Sequence, residues 1–475
     1  MLNALQGQWR ATHLLLVLVL CIGSSYTFAQ SLRSGACLSG TDGTCAWEKP
    51  GDPDWLFERF TNAMGYADCA GDLATWRAKN PNCILLLYVS GTDMPSYKSY
   101  TSNSYNLGKK STWIRDRMVE LGEIEENTYM HFYNDTKVRY WVGDHYDTLL
   151  IPGTNSMTIA AADSVSRVPN SYINALFVNY NTYDYPARLA PNFANPTLRQ
   201  AYKEYLTQVF TSDVYTHYPD ATGIWDGIHF DNFSPTSMVG SALCSGGLVV
   251  ETGASPGALL TFASDAYRDW CWGQMTAFGR EVRDTLHTAD QWALDGKKKL
   301  LAYNVGISHK DDYLDPNISG ADALNVEFGF DPVYSNNSSY YRLENLSSRD
   351  SVAARNGVTY FWTSIPRTSY GNGSTTKRNA IYNNLCFYYV ARSDSTWIYM
   401  RPDPGYAYGA FLNSGFDTLA WVPAMEQDLG DPVAHYQLAA SGSSPDQGGA
   451  TYKVWSRDYQ YGKVFIRPRD GFEAA

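Results

Sequence analysis

The chain has 475 residues, 44% of them apolar and 18% charged, with a formal net charge of −11. That composition supports a large buried core and excludes global disorder. The acidic balance leaves no basic excess to neutralise phosphates, which excludes a nucleic-acid surface; the longest basic run, at 297–299, reads as a solvated loop.

Residues 1–29 read as an export signal. Arg10 supplies the positive region, 14–22 (LLLVLVLCI) the apolar one, and Thr27-Phe28-Ala29 the small residues of a cleavage site after Ala29. The apolar run is too short to span a bilayer. Leu20 stands before Cys21 where a lipid-anchor signal wants a small residue, so no membrane association is expected after cleavage. The expected location is secreted or periplasmic, and the expected state a monomer.

Export permits disulfides. Cys37 and Cys45 bracket a Gly/Ser/Thr-rich loop and are the first candidate pair. Cys69–Cys83 and Cys244–Cys271 are further candidates, with connectivity open, and Cys386 reads as a buried thiol. No Cys or His spacing matches a metal motif, so neither metal nor cofactor is expected. Residues 30–80, with Trp47, Trp55 and Trp76, read as an N-terminal extension packing on the next domain.

Eight short apolar runs follow: 84–91, 130–135, 175–181, 227–232, 300–306, 323–330, 358–364 and 397–402. Several are continuously apolar, as strands covered on both faces are. Helical patterns lie between some of them. The pattern at 111–122 has Ser111 as a possible cap and Gly122 as a stop. That at 195–210 has Asn195 as N-cap, Pro196 at the first position, and Leu198, Tyr202, Tyr205, Leu206 and Val209 on one face. A third covers 263–286. This alternation predicts an α/β fold, a (β/α)8 TIM barrel over 81–430 with a small C-terminal β-element; a doubly wound open sheet is the alternative. Residues 440–450 (ASGSSPDQGGA) read as a flexible connection and 451–472 as a β-hairpin turning near Tyr461-Gly462, within a terminal element of 431–475.

Barrel enzymes carry their chemistry at the C-terminal strand ends. Here those ends bring Asp93, Asp135, Tyr180, His229, Asp231, Asn232, Asn304, Asn325, Glu327, Trp362 and Arg401. There is no nucleophile-elbow motif in the set. Carboxylates, amides and aromatics are what glycoside hydrolysis uses: one acid protonates the leaving oxygen, and a second carboxylate acts as nucleophile or as base for water. The 36 Tyr and 14 Trp fit the same reading, because sugar C–H faces stack on rings with a polar edge. Tyr filling half-exposed sheet positions is the competing explanation. Asp231 and Glu327 stand out as carboxylates set in apolar strand. Asp231 could instead cap a loop and Glu327 pair with a cation. Asp226 reads as a strand-start residue at the opposite end. His229 alternates with Asp231 and points the same way, as a sugar contact or a satisfied interior histidine.

The stretch WDGIHFDNF (225–233) resembles the W-D-G-x-x-x-D-N strand of largely uncharacterised TIM-barrel glycoside hydrolases. NPTLRQAYKEYL upstream, AYNVG and ALNVEFGF downstream, and the terminal VWSRDYQYGKVFIRP are similar to segments of the same family. The resemblance covers roughly 170–335 and 450–470. It implies a polysaccharide substrate, Asp231 as nucleophile or stabiliser and Glu327 as general acid/base. Asp93, Asp135, Tyr180, His229, Asn232, Asn304, Asn325, Trp362 and Arg401 are then candidate substrate contacts. The long 234–260 insertion and His229 depart from that pattern, so the sugar is not carried over. A non-catalytic carbohydrate-binding barrel and a polysaccharide deacetylase are the alternatives.

Overall fold

The computed structural model describes residues 35–37, 62–65, 77–81, 83–92, 94–95, 107–132, 137–142, 145–150, 188–211, 225–231, 233, 249–251, 259–261, 264–288, 299–305, 311–326, 339–364, 374–393, 396–400, 424, 427–444 and 450–467. The elements begin with strands β1 (Gly35–Cys37), β2 (Asn62–Gly65), β3 (Ile84–Ser90) and β4 (Met94–Pro95), then helix α1 (Leu107–Glu120). Next come β5 (His131–Phe132), β6 (Lys137–Val142), β7 (His145–Leu150), β8 (Arg188–Leu189), α2 (Pro196–Thr211), β9 (Gly227–Asp231), β10 (Val249–Glu251) and β11 (Leu259–Thr261). They continue with α3 (Asp265–Thr288), β12 (Leu300–Asn304), α4 (Pro316–Ser319), β13 (Ala323–Val326), α5 (Ser339–Arg355), β14 (Thr359–Ser364), α6 (Ser374–Ala391) and β15 (Thr396–Met400). The last three are β16 (Gln437–Ser444), β17 (Ala450–Tyr459) and β18 (Gly462–Ile466). Two compact units are present: 34–327 with 355–361, and a second built on 328–354 and 362–475.

The first unit is α/β. Its main sheet takes strands in chain order, β1-β2-β3-β9-β12-β13 and then β14, and the pairings from β1 to β13 are parallel. Leu85, Leu86 and Leu87 are all buried, as the continuous apolar run requires of a strand covered on both faces. The sheet starts earlier than the apolar runs suggest, because β1 and β2 lie within the 30–80 segment. The described part of the run at 130–135, residues 130–132, does not join it. His131 and Phe132 pair antiparallel with Glu251 and Val250, forming a small sheet with β11. Strand β2 takes the place next to β3, which leaves β9 fourth in the sheet. The run at 175–181 lies outside the described residues.

Alternation along β9 sorts its side chains into two sets. Phe230 stacks on Phe278 of α3 (6.1 Å between centroids) and meets Tyr202 of α2 edge-on at 6.0 Å. Phe193 stacks on Phe278 at 4.7 Å and Phe233 on Phe230 at 5.1 Å. Each such pair adds about 0.5–1.5 kcal/mol beyond its buried area. This aromatic layer docks α2 and α3 on one face of the sheet and leaves His229 and Asp231 on the other. Helix α2 starts as its sequence dictates: Asn195 Oδ1 accepts from the amides of Thr197 (2.8 Å) and Leu198 (3.4 Å), with Pro196 first in the helix. Leu198, Tyr202, Tyr205 and Leu206 are buried; the Val209 side chain lies outside the described residues. Helix α1 ends at Gly122, whose φ of 90° suits glycine.

The strand starts are pinned twice by the same device. Asp226 Oδ2 accepts from the Leu85 amide at 2.8 Å and from Arg77, fastening β9 to β3. Asp322 Oδ2 accepts from the Leu301 amide at 2.9 Å and bonds His287 Nε2 at 3.0 Å, fastening β13 to β12, with Arg283 Nε 3.3 Å from its other oxygen. Asp226 is thus the strand-start residue expected. Gly227 beside it is required by space: a Cβ there would fall 2.1 Å from the Leu300 carbonyl oxygen.

The second unit contains the terminal antiparallel sheet, ordered β16-β17-β18. The hairpin of β17 and β18 turns at Gln460-Tyr461, with Tyr459 opposite Gly462. Part of the segment read as a flexible connection is instead strand: β16 pairs with β17 from Gln437↔Ser456 to Ser444↔Ala450. Backbone pairing with a strong neighbour overrides the low β-propensity of QLAASGSS. Arg457 of this sheet donates to the carbonyls of Ala434 (2.9 Å), Val390 (3.3 Å) and Arg392. Asp350 of α5 is fully buried and accepts from the Ser393 amide (2.6 Å), the Ser393 hydroxyl (3.0 Å) and the Thr396 hydroxyl. Burial pushes its carboxyl up to about 6, although these donors and Arg457 pull the other way.

Cys83, Cys271 and Cys386 are buried free thiols. This corrects the Cys69–Cys83 and Cys244–Cys271 pairings, because Cys83 sits inside the core before β3 and Cys271 on the buried face of α3. Cys386 is the buried thiol expected. No helix among the described residues is long and apolar enough to cross a membrane.

Candidate active site

Asp231 is the last residue of β9 and is half-buried. Both carboxylate oxygens accept hydrogen bonds from neighbouring strands. Asn304 at the end of β12 donates its Nδ2 to Oδ1 at 2.7 Å, and the Tyr88 hydroxyl on β3 donates to Oδ2. The register explains this geometry: Ser90 lies opposite Asp231, so Tyr88 lies opposite His229 on the same face, one residue pair earlier. On the other side Ala302 lies opposite His229, which carries Asn304 to the level of Asp231. Asn304 in turn pairs with Asn325 of β13, whose carbonyl accepts from the Val305 amide at 3.1 Å. Asn304 and Asn325 are both buried, 6% and 4% exposed. Donors from two flanking strands hold the carboxylate in one orientation.

The backbone under the site is also fixed. The Gly91 amide donates to the Asp231 carbonyl at 2.8 Å. Tyr202 donates its hydroxyl to the carbonyls of Ser90 (2.9 Å) and Gly91 (3.1 Å), and the buried Lys110 ammonium also reaches the Ser90 carbonyl.

His229 is 1% exposed, and neither ring nitrogen has a hydrogen-bond partner among the described residues. Burial lowers its pKa to about 3, so the imidazole is neutral. Its ring stacks on Tyr88, with centroids 5.7 Å apart and planes 24° from parallel. Asp231, His229, Asn304 and Asn325 are therefore brought onto adjacent strands of one sheet. Trp362 lies in β14, its side chain outside the described residues. Asp93, Asp135, Tyr180, Asn232, Glu327 and Arg401 also lie outside them. The sequence does not single out Tyr88; inside ILLLYVS it reads as one more core aromatic. Among the described residues no group of three or more His, Cys, Asp or Glu is placed to hold a metal ion.

No family model matches the chain, and a search of curated proteins finds no match. Several solved structures are similar. A Paenibacillus sp. cycloisomaltooligosaccharide glucanotransferase, complexed with cycloisomaltoheptaose, is 10% identical with a TM-score of 0.36. The match takes in 72% of this chain, which spans only 39% of that protein's length. The glycoside hydrolase domain of PelA from Pseudomonas aeruginosa is 8% identical (78% of this chain, 94% of that one, TM-score 0.36). An α-amylase from Geobacillus thermoleovorans, complexed with acarbose, is 10% identical (93% and 87%, TM-score 0.38). At this depth of likeness neither family nor substrate carries over.

Proposed function

We propose that this chain is an exported glycoside hydrolase that cleaves a polysaccharide, built on a (β/α)8 barrel. The observation that carries the reading is Asp231: a carboxylate at the C-terminal end of a parallel strand, turned away from the aromatic layer, with both oxygens held by donors. Ligands of parallel-strand folds bind at that end of the sheet. The sequence resemblance of 225–233 to glycoside hydrolases supports the same role.

In this reading Asp231 attacks the anomeric carbon as the bond to the leaving oxygen breaks, and Glu327 gives that oxygen its proton. Water, deprotonated by Glu327, then releases the sugar from Asp231. Glu327 follows Val326, the last residue of β13, and stands two positions after Asn325. Tyr180, Asn232, Asn325, Trp362, Asp93, Asp135 and Arg401 are proposed sugar contacts.

The test is incubation of the full chain and of Asp231→Asn with a panel of bacterial and plant polysaccharides, read by product mass. Cleavage by the parent and its loss in Asp231→Asn supports the reading. Near-parental turnover in the variant removes Asp231 from the chemistry. Tight binding by the parent without any cleavage makes the protein a carbohydrate-binding barrel.

A further inference from the structure

One polar ring on the Asp231 face has no part in the proposed chemistry. His229 is buried on the same face as Asp231, two residues earlier on β9, and both its nitrogens lack partners among the described residues. A buried, unsatisfied imidazole is costly and needs a reason. Its ring contact supplies one. Tyr88 lies opposite His229 in the β3–β9 register and stacks on it at 5.7 Å, while the Tyr88 hydroxyl reaches past His229 to Asp231 Oδ2. A single tyrosine thus rests its ring on one residue of β9 and its hydroxyl on another. A tyrosine hydroxyl swings with the first side-chain torsion, so a side chain packed against the ring face limits where that hydroxyl can lie. On its other flank His229 meets Ala302 in the β12 register, a side chain with no ring to offer.

We infer that Tyr88 is a positioning residue for Asp231 and that His229 is the flat wall that sets the Tyr88 ring. The inference deepens the hydrolase reading and rests on it for the consequences in turnover, whereas the contact itself stands without it. A neutral imidazole suits the task, because it presents a flat face without bringing a cation beside the carboxylate. The catalytic orientation of Asp231 is then set from two sides: directly by Asn304, and from β3 through a stacked pair.

The test uses the full chain with Tyr88→Phe, His229→Ala and His229→Phe, each examined by crystallography and by kcat and KM on a polysaccharide that the parent cleaves. In Tyr88→Phe, kcat is expected to fall about 10- to 100-fold with KM within about twofold, the loss of one hydrogen bond to a charged group. In His229→Ala the Tyr88 hydroxyl should leave Asp231 and kcat should fall by a similar factor. His229→Phe restores the stacking face, the contact and most of the lost kcat. If His229→Ala proves insoluble, His229→Leu, which fills space without a flat ring, replaces it. A parental kcat in Tyr88→Phe overturns the role of Tyr88. A Tyr88 hydroxyl still on Asp231 in the Ala or Leu variant overturns the role of His229. A parent that cleaves nothing overturns the hydrolase reading, and the crystallographic contact then decides the stacked pair alone.

Discussion

Asn304 Nδ2 lies 2.7 Å from Asp231 Oδ1, across the gap between two adjacent parallel strands. That bond separates two roles for the amide. If Asn304 orients the carboxylate, Asn304→Ala lowers kcat about 10- to 100-fold and leaves KM nearly unchanged. If it holds a sugar hydroxyl instead, KM rises with little change in kcat. Steady-state kinetics on the substrate found in the polysaccharide panel tells the two apart.

The strand start before Asp231 tolerates almost nothing. A Cβ on residue 227 would lie 2.1 Å from the Leu300 carbonyl oxygen, so Gly227→Ala must push two paired backbones apart. We expect a loss of at least about 3 kcal/mol, at the upper end of overpacking costs, read as a lowered urea midpoint or as insoluble protein. Asp226→Ala removes the acceptor for the Leu85 amide and for Arg77, and should cost about 1–3 kcal/mol. A Gly227→Ala protein as stable as the parent would contradict the close approach.

Asp350 makes stability depend on pH in the direction opposite to most carboxylates. Burial raises its folded value from the ordinary 3.8 to about 6, so the folded state holds the proton more tightly than the unfolded one. Its contribution is fully present below pH 3.8, declines as pH rises through the window, and is lost above about 6. The change is on the order of 3 kcal/mol. Chemical denaturation of the parent and of Asp350→Asn from pH 4 to 7 isolates it: the parent's advantage over the variant should shrink as pH rises. A pH-independent difference between the two proteins would show that the carboxyl stays ionised in the fold.

Burial pushes the thiols of Cys83, Cys271 and Cys386 up to about 12. At pH 8 they are protonated and shielded, and so poor nucleophiles. Peptide mapping after alkylation should find these three unmodified in native protein and fully modified in guanidinium without prior reduction. Modification only after reduction would restore a disulfide to one of them.

Much of this architecture can be read from residue order, and the exceptions are physical. The runs at 84–90, 227–231, 300–304 and 323–326 announce themselves because strands covered on both faces must be apolar throughout. Strands β1 and β2 carry no such signal; they are three and four residues long, and only pairing with β3 makes them visible. The 130–135 run looks like a barrel strand because apolar character does not say which edge a strand will join. Asp231 is legible as a carboxylate that an apolar strand has no reason to hold. Tyr88 is not, since its meaning comes from the register of β3 against β9. Register belongs to two segments together, far apart in the chain, and to neither one alone.

Asp226 and Asp322 have a consequence for anyone who wishes to redesign this protein. Each bolts the start of one strand to its neighbour through a backbone amide, at the end of the sheet away from Asp231. Under the proposed hydrolase reading, the scaffold and the Asp231 end are therefore separable engineering problems. A library at 234–248, the sequence that follows β9, would leave these bolts untouched. The same library built around Arg77, Asp226, Arg283 or Asp322 would draw down the stability that these bonds supply.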